Sequence, residues 1–308
     1  MEKVHVIVNP LSARGKTQFR WESIKSAIKY YFSEFKFIFT EKPNQATDIV
    51  RQVLSEGYNL IIGVGGDGTL NEITNGFFSQ KEKKLISDEA SLGIIPSGTG
   101  SDFIRFLRIP RDFGKSVELI KNSEKKKIDI GKIIFPERNG ENYSKYFINI
   151  ADFGLGADVV KNISAVPESK RGAFSYYSGL LSSIKNYSSK EVEITIDEKY
   201  KVSGKYLIGA VANGGVFGGG MIIAPDAKID DGYFDLVLIK EMNKFEIIKN
   251  TPILYRGTII KNPKVEVFRV KKVEVSSATA TDLEYDGEVG GLLPAKFEIV
   301  EKAINFRI

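Results

Sequence analysis

The chain has 308 residues, about twice the size of an ordinary domain, and its composition is 42% hydrophobic and 27% charged. This balance is typical of a folded globular protein and excludes a wholly disordered chain or a coiled coil. Since no run of roughly 18 apolar residues is present and the N-terminus lacks a secretion pattern, we expect neither a membrane span nor a signal peptide. The net charge of +5 is too small to indicate a nucleic acid partner.

Cysteine is absent and the one histidine is His5, which excludes disulfides and thiolate sites and disfavours a histidine-based metal site. A Ser-His-Asp triad is also disfavoured, because His5 falls within the first predicted strand, and we interpret it as a strand residue. Basic residues cluster in three places, either as solvated surface or as weak attraction to an anionic membrane. The clusters are Lys81, Lys83 and Lys84, then Lys121 with Lys125–Lys127, and finally Lys271 with Lys272.

Up to about residue 120, short apolar runs alternate with amphipathic stretches, which predicts alternating strands and helices. We predict strands at 4–8, 35–39, 59–64 and 92–95, and helices at 17–32, 45–55, 70–78, 102–107 and 112–120. In the first helix, Phe19, Ile24, Ile28 and Tyr31 recur at helical spacing. Strands that alternate with helices indicate a parallel sheet with right-handed crossovers.

From about residue 128 the pattern changes to strand-like stretches joined by short turns, as in antiparallel sheets. These strands are predicted at 128–135, 146–153, 192–196, 206–212, 234–239, 265–270, 273–276 and 282–285, with helices only near 174–184 and 244–255. We therefore predict an α/β protein with a Rossmann-like parallel-sheet domain at 1–128 and a mainly antiparallel β domain at 129–294. Residues 295–308 could complete the first domain, although the strand predicted at 296–300 fits either.

The strongest motif in the chain is the glycine-rich segment Gly63–Glu72, which reads GVGGDGTLNE. It leaves a buried strand and enters a helix, so it lies at the carboxyl end of a parallel sheet, where ligands bind in open α/β folds. Backbone N–H groups at such a helix start favour a phosphate. Asp67 is unusual there, because a carboxylate repels phosphates unless a metal intervenes. The alternative is an ordinary glycine-rich turn in which Asp67 caps the helix.

Two further loops are expected at the same edge of the sheet. The segment Asn9–Lys16 follows the first strand, and Pro96–Asp102 follows the fourth. Three such loops at one edge describe a nucleotide cleft, whereas the alternative is a set of ordinary connecting loops. This makes residues 1–128 the predicted nucleotide-binding domain.

The second domain carries three glycine- and aspartate-rich segments. Asn213–Met221 is a glycine-rich loop, and Ala224–Tyr233 contains an Asp-Asp-Gly turn that is either a plain hairpin or an oxygen site for a hard cation such as Mg²⁺. Near the end of the chain, Tyr285–Glu288 places two carboxylates around a glycine. This segment is either a β-turn or the position of a general base.

Taken together, these motifs resemble those of the diacylglycerol-kinase-type lipid kinases, most closely the soluble bacterial branch. The resemblance rests on Val8-Asn9-Pro10, on 65–72 and 96–99, and on 218–232 and Asp286-Gly287-Glu288. The Gly-Gly-Asp-Gly-Thr core is shared with NAD kinases and resembles that of phosphofructokinases, but Asn71-Glu72 and the Asp-Gly-Glu ending narrow it to the lipid kinases. The resemblance spans nearly the whole chain.

The resemblance implies ATP-dependent phosphorylation of a lipid hydroxyl in an interdomain cleft, with residues 129–294 as the lipid-substrate domain. Asp231 matches a magnesium-binding aspartate, with the backbone carbonyls of Lys228 and Tyr233 as further ligands and a water link to Asp67. Glu288 matches the proposed base, with Asp286 beside it, and Asp67 is the third predicted catalytic residue. The predicted nucleotide-binding positions are Asn9, Ser12, Lys16, Thr40, Gly66, Asp67, Gly68, Thr69, Asn71, Glu72 and Thr99.

Two departures from the family pattern concern the nucleotide site. Ser101 stands where the family often has Asn, and the usual His after the second strand is absent, with Gln45 nearby. Lys170 lies near a family lysine needed for activity, although the match there is loose.

The expected partners are ATP, a lipid and, through peripheral contact, an anionic membrane, and no nucleic acid partner is expected. We expect a cytoplasmic location, and a homodimer is left open. Diacylglycerol, phosphatidylglycerol, a sphingoid base and a polyprenol all stay open as the lipid. The first alternative is a NAD kinase, disfavoured by Asn71-Glu72 and by the Asp-Gly-Glu ending. The second is a non-catalytic nucleotide-gated lipid-binding regulator, disfavoured because the Asp67 loop and the base candidate are both present.

Overall fold

The computed structural model describes residues 2–81, 84–98, 101–136, 142–164, 179, 182–183 and 187–308. The chain divides into two compact units: unit 1 consists of Met1–Ile128 with Lys302–Ile308, and unit 2 consists of Asp129–Glu301. None of the helices in the described residues is long and apolar enough to cross a bilayer.

Unit 1 is a parallel sheet with helices on both faces. In chain order its elements are β1 (Val4–Val8), α1 (Lys16–Tyr31), β2 (Phe35–Phe39), α2 (Gln45–Ser55), β3 (Leu60–Gly65), α3 (Asp67–Gly76), β4 (Ser91–Pro96), α4 (Asp102–Phe106) and α5 (Phe113–Asn122). The strand order is β2-β1-β3-β4, and the end of the last strand of the chain adds Asn305 and Phe306 beside β4 in parallel.

Three strands of the parallel sheet of unit 1 are buried on both faces, whereas the edge strand β2 is partly exposed. Every residue of β1, β3 and β4 is buried, as expected for strands covered by helices on each side. On one face, Trp21, Ile24 and Ile28 of α1 pack against the sheet together with residues of α5. Full burial of each such side chain is worth roughly 1.5–3 kcal/mol.

Unit 2 is built from antiparallel strands. Its elements are β5 (Lys125–Pro136, which begins in unit 1), β6 (Asn142–Phe147), β7 (Ile150–Gly154), α6 (Leu155–Ser164), β8 (Lys190–Ile196), β9 (Tyr200–Ala212), β10 (Val216–Phe217), β11 (Met221–Ile222), β12 (Phe234–Lys240), α7 (Lys244–Tyr255), a short 3₁₀ turn (Ile259–Lys261), β13 (Val265–Val270), β14 (Lys272–Ser277), β15 (Asp282–Tyr285), β16 (Glu288–Leu292) and β17 (Ala295–Arg307, which ends in unit 1). The long strand β9 pairs with β7, β8 and β12, and β15 joins β7 to β16.

The predicted fold class is confirmed, whereas several elements differ from the prediction. The helix predicted at 70–78 begins earlier, at Asp67, and the strand predicted at 146–153 is two strands that break between Phe147 and Ile150. Helix α6 and strand β16 were not predicted from the sequence. The helix predicted at 174–184 falls mostly outside the described residues.

Candidate functional site

The carboxyl edge of the parallel sheet brings together the loops that follow β1 and β3. The chain runs from β1 outward to β2 and then returns past β1 to β3, so a topological switch lies between β1 and β3. Ligands of open α/β sheets bind at such a point. Here the Asn9 side-chain amide donates a hydrogen bond to Thr69 Oγ1 at 3.0 Å, and the Asn9 N–H donates to the Val64 carbonyl at 3.0 Å.

The loop after β4 joins the same edge through hydroxyl groups. The Ser97 N–H donates to the Gly65 carbonyl at 2.9 Å, and the hydroxyls of Ser97 and Thr17 lie 2.5 Å apart. The Thr17 hydroxyl also lies 2.6 Å from that of Ser12, which is buried. The predicted meeting of three loops at one edge is therefore confirmed, while the binding of a nucleotide there stays a prediction.

Two glycines of this edge allow the loops to pack on each other. A Cβ at Gly65 would lie 2.3 Å from Thr69 Oγ1, and a Cβ at Gly98 would lie 2.8 Å from the Gly66 Cα atom. Among the described residues, in contrast, the nearest atom to a Cβ at Gly66 would be the Gly98 Cα atom at 3.6 Å. Gly65 and Gly98 are therefore required by loop packing, whereas the space beside Gly66 would allow a ligand to approach its backbone closely.

Ser101, which stands where the family often has Asn, has a left-handed backbone conformation. Its φ is +57°, in the left-handed region that Asn tolerates better than Ser. The residue is 1% exposed, and its hydroxyl has no hydrogen-bond partner among the described residues. A buried, unsatisfied hydroxyl beside Gly66 and Gly98 is a group that a polar ligand could satisfy.

Asp67 holds the start of the next helix at this edge. The N-cap of α3 is Gly66, so the interpretation of Asp67 as the cap of its own helix is wrong. Asp67 is the first residue of α3, and its Oδ2 accepts the N–H of Asp102 at 2.7 Å. Asp67 therefore links the loops after β3 and β4.

Of the other residues predicted for the nucleotide site, two lie at the carboxyl edge of the sheet and one caps a neighbouring helix. Lys16 is exposed at the first residue of α1, and Thr40 is held beside the end of β1 by the Val8 carbonyl, so both lie at the carboxyl edge. The carboxylate of Glu72 instead accepts the N–H groups of Asn44 and Ala46 at 2.9 and 3.1 Å, which caps α2.

Of the other predicted residues, Gly68 and Asn71 lie in α3. Gly68 lies in the first turn of α3, and the buried Asn71 accepts a hydrogen bond from Asn75. Thr99 and Lys170 lie outside the described residues. Nucleotide binding by all of these residues stays a prediction.

The acidic turn of unit 2 places Asp231 against a guanidinium. Asp231 Oδ2 accepts a hydrogen bond from Arg269 at 2.5 Å, and Oδ1 accepts the N–H of Tyr233 at 3.2 Å. Arg269 also lies 3.5 Å from Asp235 and 5.2 Å from the centre of the Tyr233 ring. The described residues contain no cluster of three or more metal-binding side chains. Arg269 already pairs with the Asp231 carboxylate, so Mg²⁺ would have to displace this guanidinium. Binding of Mg²⁺ by Asp231, with the backbone carbonyls of Lys228 and Tyr233 as further ligands, stays a prediction.

Three buried side chains connect the motifs of unit 2. Asp129, fully buried, accepts the Gly232 N–H at 2.7 Å and so holds the acidic turn. The Asn213 amide donates to the carbonyls of Asp129 and Ile148 at 3.0 and 2.7 Å. The Asn149 amide donates to the Val216 carbonyl at 2.8 Å, in the glycine-rich loop. Asp129 and Asn149 were not among the residues predicted from the sequence, and Asn213 was predicted only as the start of a loop.

The Asp-Gly-Glu segment is a tight hairpin turn between β15 and β16. Asp286 and Gly287 have φ values of +49° and +85°, the pattern of a type I′ turn, for which Asp-Gly is a preferred pair. The Asp286 carboxylate accepts three backbone N–H groups, from Ile148 at 2.8 Å, Asn149 at 2.9 Å and Ile150 at 3.1 Å. Glu288 begins β16 opposite Tyr285 and is exposed. The base stays a prediction, and this geometry favours Glu288 over Asp286.

A buried carboxyl pair lies directly behind this turn. Glu284 of β15 is paired with Asp152 of β7, and the two are 4% and 0% exposed. Burial raises the pKa of Asp152 to about 6. Burial and the neighbouring Asp152 carboxyl raise the pKa of Glu284 well above its ordinary range. Glu284 Oε2 accepts the Gly287 N–H at 2.8 Å, so Glu284 supports the turn that precedes Glu288.

Comparison with known proteins follows the same division of the chain. Residues 3–133 match the diacylglycerol kinase catalytic domain, and residues 149–307 match the YegS C-terminal NAD kinase beta sandwich-like domain. A diacylglycerol kinase of Staphylococcus aureus (strain bovine RF122 / ET3-1) is 33% identical over 311 aligned positions, which cover 99% of this chain and 91% of the relative.

Two solved structures resemble the fold. A crystal structure of a Bacillus anthracis str. Sterne protein assigned to the diacylglycerol kinases has a TM-score of 0.80 and 26% identity, and the match covers 99% of this chain and 95% of that one. Yeast NADH kinase in complex with NADH has a TM-score of 0.52 and 11% identity, over 99% and 82% of the two chains, so it shares the fold alone. The relatives support a kinase function, and the chain belongs to the diacylglycerol kinase family.

Proposed function

We propose that the protein is an ATP-dependent lipid kinase that transfers the γ-phosphate of ATP to the hydroxyl of diacylglycerol or a related lipid. The main supporting observation is the set of three hydrogen-bonded loops at the β1/β3 switch point, where α1 and α3 both begin. The N-terminus of a helix carries partial positive charge and unpaired N–H groups, which suit phosphates. Family membership supports the same reaction.

In this proposal, the nucleotide phosphates lie along the loops that contain Asn9, Gly66 and Ser101. Lys16, exposed in the first turn of α1, would neutralise phosphate charge. Asp67 would repel a phosphate in direct contact, so its role is to hold the loop after β4 and to face the cation that enters with ATP. Mg²⁺ is proposed as part of the Mg–ATP substrate, and it supplies charge neutralisation at the transferred phosphoryl group.

The transfer itself requires a proton acceptor for the lipid hydroxyl. The hydroxyl oxygen forms a bond to the γ-phosphorus, the bond from that phosphorus to the β,γ-bridging oxygen breaks, and ADP leaves with the electron pair. The hydroxyl proton passes to Glu288, which is exposed on a hairpin whose turn is fixed by Asp286. Asp286 is disfavoured as the acceptor because its oxygens already accept three N–H groups.

The test is incubation with γ-labelled ATP, Mg²⁺ and a mixed-lipid extract, followed by identification of the labelled product. A parallel reaction contains NAD in place of lipid, since the yeast neighbour is an NADH kinase. We expect label in a phosphorylated lipid and none in a dinucleotide. Label in the dinucleotide, or no transfer to any lipid, would contradict the proposal.

A magnesium site at Asp231 is a separate proposal, and it requires Arg269 to release the carboxylate. If Mg²⁺ competes with the guanidinium, Arg269→Gln should show a larger rise in melting temperature on addition of Mg²⁺ than the parent protein, and Asp231→Asn should show none. Equal responses of all three proteins would exclude a magnesium site at Asp231.

A further inference from the structure

The outward half of α7 combines apolar and cationic side chains. Phe245, Ile248 and Tyr255 are 76%, 52% and 42% exposed, and Pro252 is exposed between them. Their spacing of three and four residues aligns the four side chains along one side of the helix. This stripe is a continuous apolar strip on the surface of unit 2.

The charged residues of α7 and its C-cap that flank this stripe are positive. Lys244, Lys249 and Arg256 are exposed and flank the stripe at helical spacing. Within the helix, which is described throughout, the one acidic residue is Glu246. It points away from the stripe, because it completes the capping box with Asn243 and accepts hydrogen bonds from Lys264.

The opposite half of α7 anchors the helix to unit 2. Ile247, Ile253 and Leu254 pack against the core, and Asn250 accepts a hydrogen bond from Asn262 at 3.0 Å. The outward residues are therefore held in place by a fixed helix.

We propose that this face of α7 docks the protein on an anionic lipid bilayer. An apolar stripe with flanking cations is the pattern of a helix that lies in the membrane interface, since apolar side chains enter the acyl boundary while Lys and Arg meet anionic headgroups. The inference rests on the proposed lipid substrate, and it assigns the membrane contact to a defined surface.

A second copy of the chain is the competing occupant, and two observations disfavour it. A helix of 12 residues is about 18 Å long and roughly 10 Å wide, so its face offers roughly 200 Å². A stable interface needs about 800 Å² from each partner. In addition, self-association would bring Lys249 and Arg256 of two copies together, and like charges repel.

The test is sedimentation with vesicles in the absence of ATP, with phosphatidylcholine alone or mixed with phosphatidylglycerol. We expect binding to the mixed vesicles that weakens in high salt. Phe245→Ser with Ile248→Ser should lower the partition coefficient by about tenfold or more, and Lys249→Glu with Arg256→Glu by at least about fivefold. Tyr200→Ser is the matched control, because Tyr200 is 70% exposed in the same unit and is flanked by Lys199 and Lys201.

The outcomes separate this inference from the proposed function. Equal binding by the parent and the Phe245/Ile248 variant, or no binding to mixed vesicles, overturns the docking surface. Concentration-dependent dimerisation that the same variant abolishes, without vesicle binding, assigns the face to a second copy and also overturns it. Phosphorylation of short-chain diacylglycerol in detergent micelles reports the proposed function alone, and the α7 variants should retain it.

Discussion

Replacement of Asp152 by Asn tests the buried carboxyl pair most directly. The folded protein keeps a proton on the pair at pH values where the unfolded chain has lost it, because burial raises the pKa of Asp152 to about 6 from an ordinary 3.8. A raised acid pKa means that the folded state binds more protons than the unfolded state. The stabilisation that this proton contributes is therefore fully present below about pH 4 and is lost as the pH rises through about 6.

The size of the effect follows from the shift in pKa. The shift of Asp152 corresponds to about 3 kcal/mol of unfolding free energy in total, of which about 2 kcal/mol falls between pH 4.5 and 7.5. In Asp152→Asn the amide carries no titrating proton and can donate a hydrogen bond to Glu284. As the pH rises from 4.5 to 7.5, the free energy of unfolding of the variant should therefore increase by about 2 kcal/mol relative to that of the parent.

Urea unfolding at pH 4.5, 6.0 and 7.5 measures this difference. The one tryptophan, Trp21, lies in unit 1, so far-ultraviolet circular dichroism is needed to follow unit 2. Glu193→Gln is the control, because Glu193 is an exposed strand carboxylate of unit 2. If Asp152→Asn and Glu193→Gln change the pH dependence of the unfolding free energy equally, the inference of a raised pKa and a shared proton is wrong.

Three further predictions concern the proposed site. Asp67→Ala should abolish lipid phosphorylation with little loss of melting temperature, whereas a loss of activity that only follows unfolding would contradict the assignment. Asp67→Asn keeps an oxygen that can accept the Asp102 N–H, and it should also be inactive if the negative charge is needed. Glu288→Gln should lower kcat by at least ~10²-fold with unchanged melting and ATP affinity, while Asp286→Asn should mainly lower the melting temperature, and the reverse pattern would exchange the two roles. Ser101→Gly should raise stability by about 1 kcal/mol by removing left-handed strain, and an unchanged or lower melting temperature would refute this.

Periodicity predicted most elements because it reports burial directly. The strands of unit 1 are apolar runs, and the helix of residues 45–55 has the predicted bounds. The missed helix α6 also carried this signal, since Leu155, Val159, Val160 and Ile163 recur at helical spacing. The glycine motif was predictable as a loop because it lies between a buried strand and an amphipathic stretch.

The partners of the polar residues could not be predicted from the sequence. Asp286 accepts N–H groups from residues 136 to 138 positions earlier in the chain, and these bonds break the strand predicted at 146–153 into two. Arg269 and Asp231 are 38 positions apart, and a separation of this length gives no indication of an ion pair. Such contacts depend on strand register, which a single sequence specifies only through alternation of apolar residues.

The roles of the carboxylates follow from where their oxygens lie. Glu72, Asp129 and Asp286 each accept backbone N–H groups, and each fixes a different segment: the start of α2, the acidic turn and the hairpin turn before β16. A general base must instead reach a substrate hydroxyl, which requires an accessible side chain on a backbone that does not move. Glu288 meets both requirements, because it is exposed and directly follows the turn that Asp286 and Glu284 hold. The same hydrogen bonds that disfavour Asp286 as a base therefore support the proposal that Glu288 is the base.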